Sequence, residues 1–227
     1  KAQPTTITLP NGLASVPQKT QAWQLVEWAS DNRHVLLQHT YDSSTEFILL
    51  DRVDPTQSVN LNKTLGINPN QISLLNKKFD QYYLYDAAGG TLQTASLSAP
   101  TPVAFLDHVL SYKAYGSNIV LYATDADASA GKVNIKLLQD GTTYQIREVA
   151  AGTQYLLNIA QYSGDWYLVA GASSENKVYI YKNPVDQLSS SKPLLVPVQV
   201  LKLSNPTYAS FSNNARFIME ENGRQFS

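Results

Sequence analysis

The chain has no cysteine among its 227 residues, a single methionine and only three histidines. The missing thiols exclude disulfides, cysteine-ligated zinc, iron–sulfur clusters and thiol nucleophiles. Charge of one sign is also lacking: 17 basic residues stand against 18 acidic ones, a formal net charge of −1, and no basic block occurs. Nucleic acid and anionic membrane surfaces are therefore not expected as main partners. No apolar run approaches the eighteen or so residues needed to cross a bilayer, so no membrane insertion is expected within the sequence. It begins at Lys1 rather than Met, which leaves room for an upstream segment such as a signal peptide or membrane anchor. Apolar residues make up 43%, enough for a packed core.

No apolar pattern at helical spacing is sustained, whereas fourteen tyrosines with abundant Val, Ile and Thr favour strands. Polar turns recur through the chain. Trp28-Ala29-Ser30-Asp31-Asn32 and Phe211-Ser212-Asn213-Asn214-Ala215 share one form, an aromatic and a small residue before a polar pair, and each leads through Arg33 or Arg216 into a strand. Looser versions stand at Lys78-Phe79-Asp80, Gly116-Ser117-Asn118 and Ser163-Gly164-Asp165. The strands that follow, such as Tyr82 to Tyr85, Ile119 to Tyr122 and Trp166 to Val169, are apolar throughout, as a strand covered on both faces must be.

About ten residues later a second set of turns appears: Asp42-Ser43-Ser44, Gly89-Gly90, Asp127-Ala128-Ser129, Ser174-Glu175-Asn176 and Asn222-Gly223. A third strand alternates, with Val133, Ile135 and Leu137 on one face and Asn134 and Lys136 on the other. A fourth closes each unit. The spacing predicts an all-β, β-propeller-like array of four-stranded antiparallel blades, about four and a half repeats. Expected boundaries are 22–68, 69–108, 109–152, 153–205 and an incomplete 206–227. Residues 1–21, with Pro4, Pro10 and Pro17, read as an extended segment with one strand at Thr6 to Leu9.

The aromatic-small-x-Asp/Asn turn followed by an apolar strand resembles the WD40-like and TolB-like repeats of bacterial propellers. Asp51, after Phe47 to Leu50, and Asp107-His108 stand near where WD40 repeats place their Asp and Gly-His. The general character also resembles the propeller portion of bacterial PEGA-domain envelope proteins. These resemblances imply a binding or scaffold module of the bacterial cell envelope, extracytoplasmic or at the cell surface, that recognises a protein or glycan partner through its loops. Alternatives are a propeller hydrolase acting on carbohydrate or peptide, and a structural spacer.

Candidate chemistry is sparse. Asp125, Asp127 and Ser129 have the alternate spacing of oxygen ligands that wrap calcium, yet Ala130, Val133 and Lys136 stand where such a loop needs Gly and acidic ligands. An ordinary hairpin turn is the favoured reading, with calcium as the alternative. His34 and His39 lie five residues apart on one strand, hence on opposite faces, and form no joint metal site. No phosphate-binding glycine loop and no Gly-x-Ser-x-Gly elbow occurs, so no cofactor and no catalytic residue is expected. Carboxylates such as Glu27, Asp86 and Glu148 read as exposed strand residues. Trp28 and Trp166 fall at repeat positions expected to pack between strands; Trp23 lies outside the repeat and is the freer candidate for stacking on a ligand.

Overall fold

Left-handed backbone at the hairpin tips sets the strand order. Asp42 and Ser43 adopt φ of 43° and 71°, and Ser163 and Gly164 adopt 52° and 87°. Positive φ at both central residues gives the tight turn whose twist matches that of its flanking strands, so each such pair closes a two-residue hairpin. The computed structural model describes residues 6–116, 118–203, 206–211, 218–222 and 225–226, the last two stretches and 206–208 by backbone alone. The turn residues 212–217, with Arg216, and Gly223 of the expected fifth unit lie outside the described residues.

Nineteen strands are described, paired with their sequence neighbours into antiparallel sheets. The first sheet is β1 (Gln21–Trp28), β2 (His34–Tyr41), β3 (Ser44–Asp51) and β4 (Val59–Asn60), followed by the short helix α1 (Leu61–Leu65). The second is β5 (Gln71–Leu74), β6 (Gln81–Asp86), β7 (Thr91–Ser96) and β8 (Val103–Leu106). The third is β9 (Val109–Tyr115), β10 (Ile119–Thr124), β11 (Lys132–Gln139) and β12 (Thr142–Ala150). The fourth is β13 (Asn158–Tyr162), β14 (Asp165–Ala172), β15 (Lys177–Lys182) and β16 (Gln199–Lys202), with helix α2 (Pro184–Leu188) between its last two strands. A three-stranded sheet of β17 (Pro206–Phe211), β18 (Ile218–Asn222) and β19 (Gln225–Phe226) follows. The architecture is all-β, in sequential four-stranded sheets.

The chain divides into two compact units, Lys1–Asp107 and His108–Ser227. In the first, Leu36, Phe47 and Leu49 pack with Ile72, Tyr82 and Leu84 and with Leu61 and Leu65 of α1. In the second, Leu121, Ile135 and Val149 pack with Ile159, Leu168 and Tyr181. The inner strands carry this burial: all six residues of β10 are buried, as are Tyr82 to Tyr85 of β6. That accounts for their unbroken apolar sequence, since a strand sandwiched between sheets has no solvent face.

The N-terminal segment departs from expectation. Thr6 to Leu9 form no strand. The chain there is held by side chains rather than by a ladder: the Asp42 carboxylate accepts from the backbone N–H groups of Gln18, Lys19 and Thr20 at 2.6, 2.9 and 3.0 Å. Pro10 and Pro17, each lacking an N–H, suit such a strap better than a ladder strand. Among the described residues no helix is long and apolar enough to cross a membrane.

Candidate functional site

The β2–β3 hairpin and the α1–β5 connection form the two walls of a groove of about 560 Å³. On the hairpin side, the tight turn pairs Tyr41 with Ser44, Thr40 with Thr45 and His39 with Glu46. On the other side, α1 is capped by the Asn60 side chain, which accepts from the Lys63 N–H, and ends at Gly66 with φ 65°. That left-handed cap is the position at which glycine avoids a steric cost, and it turns the chain through Asn68 and Pro69 along the groove.

Glu46 is the carboxylate of this groove and is 3% exposed. One oxygen accepts from the Ser15 N–H at 2.7 Å and faces His39 Nδ1 at 2.9 Å. The other accepts from Ser15 Oγ at 3.0 Å and Asn60 Nδ2 at 2.8 Å. Burial alone would raise its pKa, but His39, the Ser15 backbone, Asn60 and the Ser15 hydroxyl together hold it below the ordinary glutamate value. The group is therefore an ionised, saturated acceptor that ties residue 15 and β4 to β3. His39 is buried between two rings, with Trp23 at 4.0 Å and 9° and Tyr41 at 5.0 Å and 22°, and its Nε2 lies 3.2 Å from Gln21 Oε1. Tyr41, the outer ring of this stack, lines the groove.

A second polar cluster sits at the other end of the same hairpin, on the opposite face. His34 stands directly across from Asp51. The Asp51 side chain is wholly buried, clamped by the Arg33 guanidinium and by the N–H groups of Val53 and Asp54 at 2.9 and 3.0 Å. The Arg33 hydrogen bond, against the opposing effect of desolvation, keeps Asp51 ionised far below the ordinary carboxylate range. His34 Nδ1 is 2.6 Å from Asp31 Oδ2 and its ring stacks on Phe79 at 4.1 Å. Desolvation pushes the Asp31 pKa up, but the His34 and Arg33 bonds outweigh it and bring it down to about 2.

The residues singled out from the sequence fall as follows. Asp125, Asp127 and Ser129 have three separate partners: His108 Nδ1 at 3.3 Å, Lys136 Nζ at 3.8 Å and Glu148 Oε2 at 2.9 Å. Among the described residues, no three His, Cys, Asp or Glu side chains gather as a metal site. Trp23 is 41% exposed, and its ring supports His39 rather than standing free. Trp166 packs on the second unit's core and meets Tyr115 edge-on at 4.9 Å. Trp28, expected in a core, is 46% exposed, because β1 is the edge strand of its sheet and its register shifts between Leu25 and Glu27. Glu27 accepts from the Leu74 N–H, Asp86 from its own turn at Ala88, and Glu148 from Ser129. Glu46 and Ser15 were not singled out by sequence, and Arg33 only as the residue leading from its turn into a strand.

No family model matches the sequence, and no curated protein matches it. Solved structures do resemble it. TolB from Acinetobacter baumannii superposes with a TM-score of 0.59 at 11% identity, over 91% of this chain and 50% of that one. Hydrazine synthase from Kuenenia stuttgartiensis gives 0.58 at 13% identity, over 88% of this chain and 69% of that one. The β-propeller domain of Cps50 (Swd1) from Myceliophteria thermophila gives 0.50 at 13%, over 87% and 64%. The chain thus spans half the length of TolB. At such identities the likeness is one of fold, and that fold is the β-propeller.

Proposed function

We propose that the chain is a non-catalytic binding module of a bacterial extracytoplasmic protein, engaging a protein or glycan partner through the groove of its first unit. The observation that supports this reading is the state of Glu46. It is the one carboxylate lining the groove among the described residues, and both its oxygens are already occupied. Acid–base hydrolysis of a glycoside needs two carboxylates flanking the bond, one of them held protonated. Here the single acid is held ionised. Among the described residues no histidine lines the groove, so no base stands ready beside its serines. The propeller fold suits a binding role, and the likeness to TolB accords with an envelope setting. Affinity capture of envelope proteins and isolated cell-wall glycans, run beside hydrolysis assays on glycosides and peptides, tests the proposal. A saturable partner without turnover is expected; turnover of a glycoside or peptide by the wild-type protein would overturn it.

A further inference from the structure

The groove's uncommitted groups indicate a ligand chemistry, and this inference rests on the binding role proposed above. Its two charged groups are both engaged within the protein. Glu46 is saturated, and Lys63 Nζ donates to the backbone carbonyls of Gly12 and Leu13 at 3.1 and 3.5 Å. The Asn62 amide is also engaged, with the Phe47 N–H, the Thr45 carbonyl and Asn68 Oδ1. What remains is neutral: the hydroxyls of Tyr41, Ser43, Ser44 and Thr45 and the Nδ2 groups of Asn68 and Asn70. None of these six makes a hydrogen bond among the described residues. Hydroxyls donate and accept while the amide nitrogens donate, so the set matches a ligand that itself presents many hydroxyls.

The alternatives fit less well. An anion would find a single cation, Lys63, anchored through two of its three N–H groups on backbone carbonyls and with no second cation in the lining to clamp it, and a cation would find no free carboxylate. A lipid or apolar helix would find only Ile67, Pro69 and the Tyr41 ring as apolar wall. Tyr41 is half-buried and fixed by stacking on His39, itself backed by Trp23. A ring held in this way is an aromatic platform that costs little ordering entropy on binding. We infer that the groove between the β2–β3 hairpin and the α1–β5 connection is a binding site for uncharged oligosaccharide.

The test is an array of neutral oligosaccharides (gluco-, manno- and N-acetylglucosamine series) beside sialylated, sulfated and uronate-bearing ones, followed by calorimetry on the hits. Two variants accompany the wild type: Ser44→Trp, which fills the groove from an exposed strand position, and Val196→Ser, an exposed control in the second unit. Neutral glycans are expected to bind, with affinity unchanged between about 0.05 and 0.5 M salt because no ion pair forms. Ser44→Trp should weaken them by about tenfold or more, and Val196→Ser should not. Binding confined to acidic glycans, neutral binding untouched by Ser44→Trp, or no glycan bound at all would overturn the inference. A protein captured through the groove, lost in Ser44→Trp with no glycan bound, would overturn the ligand class while sustaining the binding role. Turnover of a glycan hit would overturn the binding role itself.

Discussion

Replacing Glu46 by glutamine probes the joint between the N-terminal strap and the first sheet. The carboxylate receives two donors on each oxygen. Glutamine keeps one acceptor oxygen and turns the other into an NH2 group. The Ser15 hydroxyl can rotate to accept from it, but the Asn60 amide then meets it donor to donor. Flipping the glutamine only transfers the conflict to Ser15 N–H and His39. One charge-assisted bond is lost, about 1.5–3 kcal/mol, together with the electrostatic support of the His39 contact, for a total of about 2–4 kcal/mol. With a urea slope of about 2 kcal/mol/M, the midpoint should fall by about 1–2 M. Tryptophan fluorescence of a Trp166→Phe background reads this transition through Trp23 and Trp28 in the first unit. Trypsin should also cut faster after Lys19, whose N–H is held by Asp42. The pH dependence follows from the depressed Glu46 pKa. Its contribution is complete above the unfolded value of about 4.3 and is lost as pH falls through the lower folded value. The gap between wild type and variant should therefore narrow as pH falls below about 4. A gap under about 0.5 kcal/mol at pH 7, or one that persists undiminished at pH 3, would refute the reasoning.

Other outcomes are expected elsewhere. A β-carbon at Gly171, buried in β14, would lie 2.6 Å from the Lys177 carbonyl oxygen and 3.2 Å from Val178 Cα, so Gly171→Ala should cost about 1–3 kcal/mol in calorimetric unfolding. Leu121→Ala removes a wholly buried side chain from β10 and should cost about 2–5 kcal/mol in denaturant titration. Arg33→Ala leaves the Asp51 carboxylate buried without its guanidinium partner. Its thermal midpoint should fall at pH 7 and approach wild type in strong acid, since a depressed carboxylate contributes only while ionised. Calcium at millimolar concentration should leave the thermal midpoint within about 1 °C of that in chelator, because binding to the native state alone would raise it; a larger rise would restore Asp125, Asp127 and Ser129 as ligands.

Much of the fold was legible in the chain. Turns of polar residues and glycine at a blade-like period, with uniformly apolar strands between them, specified sequential four-stranded sheets because period and burial are local properties. Opposite faces for His34 and His39 followed from strand parity, and each occupies its own environment. Less legible was the register. Reading Asp42-Ser43-Ser44 as a three-residue turn sets Glu46 across from Thr40. Positive φ at Asp42 and Ser43 makes it a two-residue turn, and the same register then sets Glu46 opposite His39 and Asp51 opposite His34.

The amino-acid pattern by itself thus determined the class of fold, the strand faces and the absence of thiol chemistry. Only the tertiary structure decided where the polar side chains spend their hydrogen bonds. Ser15 reaches Glu46 from 31 residues away, Lys63 reaches Gly12 from 51, and Phe79 covers His34 from another sheet's approach. Those pairings depend on which surfaces packing brings together, which no local period encodes. They leave neutral hydroxyls and amides as the uncommitted groups of the groove beside Tyr41, which the sequence, read as Trp23 and a turn of acids, did not show.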